Sequence, residues 1–121
     1  MEFNDYQVKA MSTCMDSCDN FGYMFLNLVG EVGEFSSKVA KAIRKGNGGV
    51  GCEEENHIWF NSEVYDEEVG ELRKEAGDIL WQLSGLCNIM GWSLEEVAEE
   101  NLAKLASRKE RGKIDGNGDN R

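Results

Sequence analysis

The sequence predicts an all-α protein built as a four-helix bundle. The chain of 121 residues contains no proline, so no residue interrupts a helix by lacking a backbone N–H donor. Apolar residues recur at alternating intervals of three and four, a spacing that places them along one face of a helix. Glycines separate these stretches. A chain of this length supports one hydrophobic core, and we therefore expect a single domain over residues 1–121.

The helix boundaries follow from capping residues. Asn4 is a favourable N-cap for the first helix, and Gly91 suits the left-handed conformation that ends the third. Ser93, followed three residues later by Glu96, forms a capping box that predicts the start of the fourth helix. The four predicted helices cover about residues 4–18, 23–45, 66–90 and 94–108.

Two segments fall outside the predicted helices. Residues 46–65 form a loop of about 20 residues, a length that is uncommon unless a loop is functional or disordered. This loop contains the acidic run Glu53–Glu55 and the aromatic pair Trp59 and Phe60. From about residue 109 the chain is locally basic, and we interpret this end as a flexible tail.

The composition restricts the classes of partner. The formal net charge is -10 at pH 7, whereas a nucleic-acid-binding surface needs clustered basic residues, so no nucleic-acid partner is expected. No apolar run reaches the roughly 18 residues of a transmembrane helix, and residues 1–5 lack the pattern of a signal peptide. We therefore expect a cytoplasmic protein with no membrane partner.

The four cysteines are predicted to be free thiols. Their number and spacing lack the density of a disulfide scaffold, and no Cys-x-x-Cys motif is present. A zinc site is an alternative, although its spacing matches known zinc ligands poorly. Its ligands would be Cys14, Cys18, Cys52 and His57.

Two matching apolar seams run along the second and third helices. Each seam alternates intervals of four and three residues, the pattern by which neighbouring helices pack in a bundle. The two seams therefore predict that these helices pack against each other. The seam residues are Phe21, Phe25, Leu28, Val32, Phe35, Val39 and Ala42 on the second helix, and Val69, Leu72, Ala76, Ile79, Leu83, Leu86 and Met90 on the third.

A polar stripe lies one residue before each seam. Antiparallel packing of the two helices would bring both stripes to the same side of their interface. Each stripe carries a pair of carboxylates three residues apart, which lie on one helix face. The stripes consist of Asn27, Glu31, Glu34, Lys38, Lys41 and Lys45 on the second helix, and of Glu68, Glu71, Glu75, Asp78 and Gln82 on the third.

The two carboxylate pairs, Glu31 with Glu34 and Glu75 with Asp78, predict a metal site. Four ionised carboxylates at close range repel one another, and divalent cations would neutralise this repulsion. All-oxygen ligation favours Mg²⁺, with Mn²⁺ as the next choice. A di-iron centre is a less favoured alternative, because the usual Glu-x-x-His motif is missing and the single histidine, His57, lies in the loop.

An ordinary solvated face is the structural alternative to a metal site. Acidic residues at helical spacing usually face solvent, and Glu34 with Lys38 is a common ion pair between residues four apart. The repetition of the carboxylate pair on both helices favours the metal site. Glycines inside both helices add support, since close helix approach or room for a ligand would explain Gly30, Gly33 and Gly77.

Basic, amide and aromatic residues are candidates for substrate contacts. The polar stripe of the second helix turns basic beyond its carboxylates, where cations could bind phosphates or interact with the helix dipole. An asparagine on the apolar face of the fourth helix needs polar partners, and basic residues flank it. A tryptophan could stack on a nucleobase or belong to the core. The predicted substrate-binding residues are Lys38, Lys41, Trp81, Asn101, Lys104 and Arg108.

Three sequence motifs are typical of a known enzyme family. They are GEVGE at 30–34, KEAGDILW at 74–81, and the run 93–121, which includes NLAKL and SRK. Through them the chain resembles the MazG-like nucleoside triphosphate pyrophosphohydrolases, particularly the short single-domain forms of phage and bacteria. The resemblance covers about residues 26–45 and 69–121. The 40-residue gap between Glu34 and Glu75 is longer than the family usually shows, which leaves the substrate preference open.

The resemblance implies a four-helix fold that assembles as dimers or tetramers, with Mg²⁺ held by the two carboxylate pairs. It implies hydrolysis of an NTP or dNTP to the nucleoside monophosphate and pyrophosphate. Asn101 and Lys104 would contact substrate or metal. In this mechanism one carboxylate acts as general base, with Glu34 as the first choice and Glu75 as the second.

A non-catalytic function is the rival interpretation. The net charge of -10 and the acidic run Glu53–Glu55 are also typical of an acidic helical binding protein, such as a DNA mimic or a partner-binding module. Such a protein needs no metal ion. Binding of Mg²⁺ and of a nucleotide therefore distinguishes the two interpretations.

Overall fold

Four α-helices make up most of the computed structural model, which describes residues 1–51 and 57–121. Two short strands lie between the second and third helices. The all-α prediction is therefore confirmed, with a small two-stranded sheet added to it. The elements in chain order are α1 Phe3–Met11, a short 3-10 helix Asp16–Cys18, α2 Phe21–Lys45, β1 Gly48–Val50, β2 Ile58–Phe60, α3 Tyr65–Ile89 and α4 Leu94–Glu110.

Side-chain caps fix the starts of α2 and α4. The Asn20 carboxamide oxygen accepts a hydrogen bond from the Tyr23 amide at 2.8 Å. Ser93 Oγ accepts one from the Glu96 amide at 3.3 Å, as the capping pattern predicted. The bounds of α2, α3 and α4 differ from the predicted ones by at most about two residues.

The predicted first helix, about 4–18, is wrong at its C-terminal end, because α1 stops at Met11. The hydroxyl groups of Ser12 and Thr13 donate to backbone carbonyls three residues earlier, at 2.6 and 2.7 Å. These local bonds offer the backbone an alternative to the next helical turn. The chain then continues through the short 3-10 helix before α2 begins.

Polar side chains of α1 bind the start of α4. Asn4, predicted as an N-cap, instead accepts a hydrogen bond from Ser93 Oγ at 2.7 Å and donates to the Glu95 carboxylate. Gln7, which is buried, accepts from the Leu94 amide at 2.8 Å. These bonds hold the N-terminal end of α4 against α1.

The helices α2 and α3 pack antiparallel, as predicted. Lys38, in the second half of α2, lies 3.5 Å from Glu71 near the start of α3. Asn27, nearer the start of α2, donates to Gln82 near the end of α3 at 2.8 Å. The helices pack tightly at Gly85, where an added Cβ would overlap the Met24 side chain.

The predicted apolar seams are only partly correct. Val39, Ala42 and Leu72 are buried in one core cluster, but Phe21 and Phe25 are 52% and 48% exposed. The two helices instead meet through a face rotated toward the polar stripes, so that Met24, Gln82 and Gly85 are buried. Heptad spacing identifies apolar residues without identifying the neighbour that each one faces, which explains the rotation.

Three of the internal glycines do not mark close helix approach. A Cβ at Gly33 or Gly77 would meet no atom within 4 Å, and one at Gly30 would meet only the Asn27 side chain, at 3.5 Å. Close packing is therefore the wrong explanation for these three positions. The tight position, Gly85, was not identified from the sequence.

The segment predicted as a loop over 46–65 contains the two-stranded antiparallel sheet. Gly48 pairs with Phe60, and a Cβ at Gly48 would lie 2.6 Å from the Phe60 ring and 2.9 Å from the Ala42 Cβ. Only glycine allows the strand to approach this closely. Phe60 packs in the core beside Val39 and Leu72.

Three of the four cysteines, Cys14, Cys18 and Cys87, are free thiols, as predicted. Cys52 and the acidic run Glu53–Glu55 lie outside the described residues. Within residues 1–51 and 57–121, no potential metal-binding group includes a cysteine or His57. Across the same residues, no helix is both long enough and apolar enough to cross a lipid bilayer.

Candidate functional site

Three carboxylates converge where the polar stripes of α2 and α3 meet. One oxygen each from Glu31, Glu75 and Asp78 lies within 4.8 Å of the others. Glu31 belongs to α2 and the other two to α3, so the antiparallel packing of the helices creates the group. Glu31 and Glu75 are half-buried, and Asp78 is exposed. We call these three residues the carboxylate cluster.

The cluster concentrates negative charge, and the charges act on Glu31. Burial raises the pKa of the Glu31 carboxyl, and the charges of Asp78 and Glu75 raise it further. The charge of Glu34 acts in the same direction, whereas a hydrogen bond from Asn27 lowers the pKa. A carboxyl with a raised pKa favours a proton or a cation, because either one removes the repulsion between neighbouring charges.

The donor atoms of the cluster suit a hard divalent cation. All three donors are carboxylate oxygens, the ligands that Mg²⁺ and Mn²⁺ prefer. His57 is exposed beside β2, so the cluster has no imidazole ligand of the kind used by di-iron bundles. The residues present therefore fit a hard divalent cation held by oxygen atoms alone.

Glu34, the fourth predicted carboxylate, lies beside the cluster and outside it. Its side chain is exposed, and the group of mutually close oxygens does not include it. Its charge nevertheless contributes to the raised pKa of Glu31. The structure thus brings together three of the four predicted ligands and leaves the fourth facing solvent nearby.

Lys38, a predicted substrate-binding residue, lies between two α3 carboxylates. Its Nζ atom is 3.5 Å from an oxygen of Glu71 and 3.5 Å from an oxygen of Glu75. Burial lowers the pKa of Lys38, but hydrogen bonds and charges from these two glutamates outweigh it and raise the pKa. Lys38 therefore supplies positive charge at the border of the carboxylate cluster.

A polar cleft of about 270 Å³ extends from Lys38 toward the end of α2. Lys41, also predicted to bind substrate, lines this cleft and is exposed. The cleft thus combines three lysines with acidic residues from the first turns of α3. Its polar lining residues are Lys38, Lys41, Lys45, Asn47, Glu67, Glu68 and Glu71.

Trp81, predicted to contact substrate, holds α1 against α3. Its indole nitrogen donates to the Ala10 carbonyl at 3.1 Å and to Thr13 Oγ1 at 3.0 Å. These two hydrogen bonds involve the polar atom of the indole ring and connect α3 to the C-terminal end of α1.

The structure does not place the predicted α4 residues in the carboxylate cluster. Asn101 is exposed and lines a mostly apolar cleft with residues of α1 and α3. Lys104 Nζ and an Arg108 guanidinium nitrogen each lie 3.2 Å from Asp119 Oδ1. Arg108 also donates to the Asp119 carbonyl at 2.9 Å. The C-terminal segment therefore folds back onto α4, where Asp119 pairs with both basic side chains.

Sequence reasoning missed three residues near the cluster. Tyr6 of α1 lies near Asp78. Burial raises the pKa of the Tyr6 hydroxyl, and the charge of Asp78 raises it further. Asn27 donates to Glu31 at 3.2 Å and to Gln82 at 2.8 Å. Asn27 and Gln82 belong to the predicted polar stripes, so their spacing indicated that they lie near the carboxylate pairs. No pattern in the sequence pointed to Tyr6.

Comparisons with known proteins identify relatives of the chain. The family model of the MazG nucleotide pyrophosphohydrolase domain matches residues 21–112, which include the whole carboxylate cluster. The Gene 37 protein of Mycobacterium phage L5 is 34% identical to the chain over 128 aligned positions, which cover 100% of both proteins. No solved structure matches the chain significantly. The chain therefore belongs to the MazG nucleotide pyrophosphohydrolase family.

Proposed function

We propose that this protein hydrolyses a nucleoside triphosphate, NTP or dNTP, to the monophosphate and pyrophosphate in an Mg²⁺-dependent reaction. The observation that carries the proposal is the convergence of three carboxylates beside a lysine-lined cleft in a chain of the MazG family. The carboxylates suit a divalent cation, and the lysines suit the phosphates of a nucleotide.

Glu31, Glu75 and Asp78 are the proposed metal ligands, and Mn²⁺ is the proposed substitute for Mg²⁺. A bound cation of this kind acidifies water and neutralises charge on phosphate oxygens. The cluster is suited to hold it because repulsion among the three carboxylates disappears when they share a cation.

Glu34 is the proposed general base. Its exposed carboxylate lies beside the cluster without belonging to it, and therefore stays free to accept a proton. In the proposed step a water oxygen bonds to the α-phosphorus and its proton passes to Glu34. The bond from the α-phosphorus to the bridging oxygen breaks, and pyrophosphate leaves with that oxygen.

Lys38 and Lys41 are the proposed phosphate contacts. Lys38 pairs with both Glu71 and Glu75, and a cation on Glu75 would weaken one of these ion pairs and make the ammonium group more available to the triphosphate. Lys41 lines the same cleft one turn further along α2. Trp81, Asn101, Lys104 and Arg108 stay predicted substrate contacts.

A nucleotide panel tests the proposed activity. Four NTPs and four dNTPs are each incubated with the full chain and Mg²⁺, and pyrophosphate and nucleoside monophosphate are measured. We expect the two products in equal amounts from at least one nucleotide, and no product when EDTA replaces Mg²⁺. Release of inorganic phosphate and a diphosphate would contradict the proposed bond cleavage. Failure to bind Mg²⁺ or any nucleotide would favour the acidic binding protein instead.

We also infer that the protein acts as a homo-oligomer, a dimer or a tetramer. The chain exposes 8717 Å², whereas a compact monomer of 13.6 kDa exposes about 6,600 Å². The excess of roughly 2,000 Å² is comparable to the surface that a subunit buries in an obligate dimer. We therefore infer that a second copy of the chain covers part of this surface.

An apolar face of α2 is the proposed contact between subunits. Phe21, Phe25, Val29 and Val32 follow one another along this face and are each about half exposed or more. The Phe21 and Phe25 rings stack on each other, with centroids 5.7 Å apart. A charge inserted into this face would have to be buried in the subunit contact.

The substitution Val29→Glu is expected to convert the oligomer to a monomer of 13.6 kDa in light scattering. Val8→Glu is the matched control, because Val8 is also strongly exposed but lies on α1. We expect that variant to keep the mass of the unsubstituted protein. An unsubstituted protein that is monomeric at micromolar concentration would contradict the inference.

A further inference from the structure

A pair of amide side chains joins α2 to α3 next to the carboxylate cluster. Gln82 is 2% exposed, and its amide nitrogen lies 3.4 Å from the Met24 carbonyl and 3.6 Å from Met24 Sδ. Its amide oxygen accepts a hydrogen bond from Asn27 Nδ2 at 2.8 Å. The same Asn27 nitrogen is 3.2 Å from Glu31 Oε1.

The hydrogen bonds of Gln82 fix the orientation of both amides. The Gln82 NH₂ group can only donate, so it faces the Met24 carbonyl and turns the Gln82 oxygen toward Asn27. That oxygen can only accept, so Asn27 must present its NH₂ group to it. The second N–H of Asn27 then faces the Glu31 carboxylate at 3.2 Å, with the Tyr23 hydroxyl further away at 3.4 Å. A reversed Asn27 amide would place its oxygen against two other oxygens, which is unfavourable.

We propose that Asn27 is a positioning residue that holds Glu31 in the direction of Glu75 and Asp78, and that Gln82 fixes the orientation of Asn27. This inference rests on the proposed function, because it assigns the two amides to the metal site. The hydrogen bond from Asn27 restrains the Glu31 carboxylate, as hydrogen-bond partners of metal ligands commonly do.

A merely structural role for the amide pair makes a different prediction. If Asn27 and Gln82 only join the two helices, their removal lowers the unfolding temperature and leaves the metal affinity unchanged. If they position Glu31, their removal weakens metal binding by about 10-fold or more, the usual effect of losing a hydrogen-bond partner of a ligand. The affinity for the metal alone therefore separates the two roles without any measurement of turnover.

Mn²⁺ is the probe, and its binding to the full chain is followed by electron paramagnetic resonance. Asn27→Ala is expected to weaken Mn²⁺ binding about 10-fold. Gln82→Met keeps the side-chain volume beside Met24 and is expected to weaken it by roughly threefold, since Asn27 remains but can turn. Asn88→Ala is the matched control, because Asn88 is exposed on α3 and its side chain forms no hydrogen bond to the described residues.

The double variant tests whether the two amides act through one another. With Asn27 already replaced by Ala, the change Gln82→Met is expected to have no further effect on Mn²⁺ affinity, because Gln82 acts only through Asn27. Circular dichroism checks that each variant is folded. Equal Mn²⁺ affinity in the Asn27→Ala and unsubstituted proteins would overturn the positioning role alone. Absence of Mn²⁺ and Mg²⁺ binding by the unsubstituted protein would overturn the proposed function, and this inference with it.

Discussion

The substitution Asp78→Asn is expected to reduce Mg²⁺-dependent pyrophosphate release by about 1,000-fold or more. The variant keeps the shape of the side chain but removes one of the three charges that converge on the proposed cation. Because that cation supplies several kcal/mol of charge stabilisation in metal-assisted hydrolysis, its loss removes most of the rate. Pyrophosphate release at saturating nucleotide measures the effect.

The same variant is expected to lower the activity without lowering the stability of the metal-free protein. Asp78 contributes to the raised pKa of Glu31, which means that the two carboxylates repel each other in the folded protein. Without metal, Asp78→Asn should therefore unfold at the same temperature as the unsubstituted protein or at a higher one. Mg²⁺ should raise the unfolding temperature of the unsubstituted protein only, because a ligand stabilises the state that binds it.

Asp66→Asn is the matched control for Asp78→Asn. Asp66 is an exposed aspartate in the first turn of the same helix, outside the carboxylate cluster. Its substitution should leave turnover and the Mg²⁺-dependent stabilisation unchanged. Normal pyrophosphate release by Asp78→Asn would exclude the cluster as the catalytic metal site.

The sequence predicted the start of α4 correctly, because the Ser93 side chain caps its first turn and the signal lies within three residues of the boundary. Asn20 caps α2 in the same way but was not recognised, so the predicted start of α2 came later than Phe21. The end of α1 was missed because Ser12 and Thr13 compete locally with the helical backbone. The sheet was missed because β1 is only Gly48–Val50, too short for an alternating pattern.

The sequence predicted the position of the candidate site more accurately than the packing of the helices around it. A shared offset from two apolar seams was enough to pair Glu31 with Glu75 and Asp78, since antiparallel helices keep their stripes together. The predicted seams failed at Phe21 and Phe25, whose side chains are about half exposed. A sequence pattern does not distinguish a residue that faces its own core from one that we infer to face another subunit.

The sequence did not predict the hydrogen bonds between residues that lie far apart in the chain. Asp119 lies 11 residues after Arg108 in an irregular segment, so no periodicity predicted that it would bind the two basic residues of α4. The amide pair Asn27 and Gln82 lay on the predicted stripes, but their direction depends on the Met24 carbonyl across the helix interface. Side-chain orientation of this kind follows from tertiary contacts.

Glu34→Gln is expected to abolish most turnover while it preserves metal binding. Glu34 lies beside the carboxylate cluster but is not one of its three mutually close oxygen donors. As a general base it would contribute about 100- to 10,000-fold to the rate, and a neutral amide cannot accept the proton. We therefore expect kcat to fall by about that factor, with the Mg²⁺ dissociation constant changed by less than about threefold.

The comparison with Asp78→Asn separates a base from a metal ligand. Loss of a ligand weakens Mg²⁺ binding and turnover together, whereas loss of the base affects turnover alone. Glu63→Gln, an exposed glutamate just before α3, is the matched control and should retain both properties. If Glu34→Gln loses Mg²⁺ affinity as Asp78→Asn does, Glu34 is a fourth ligand and the base must be another group. If Glu34→Gln retains full turnover, the base assignment is wrong, because the neutral amide of the variant cannot accept the proton from water.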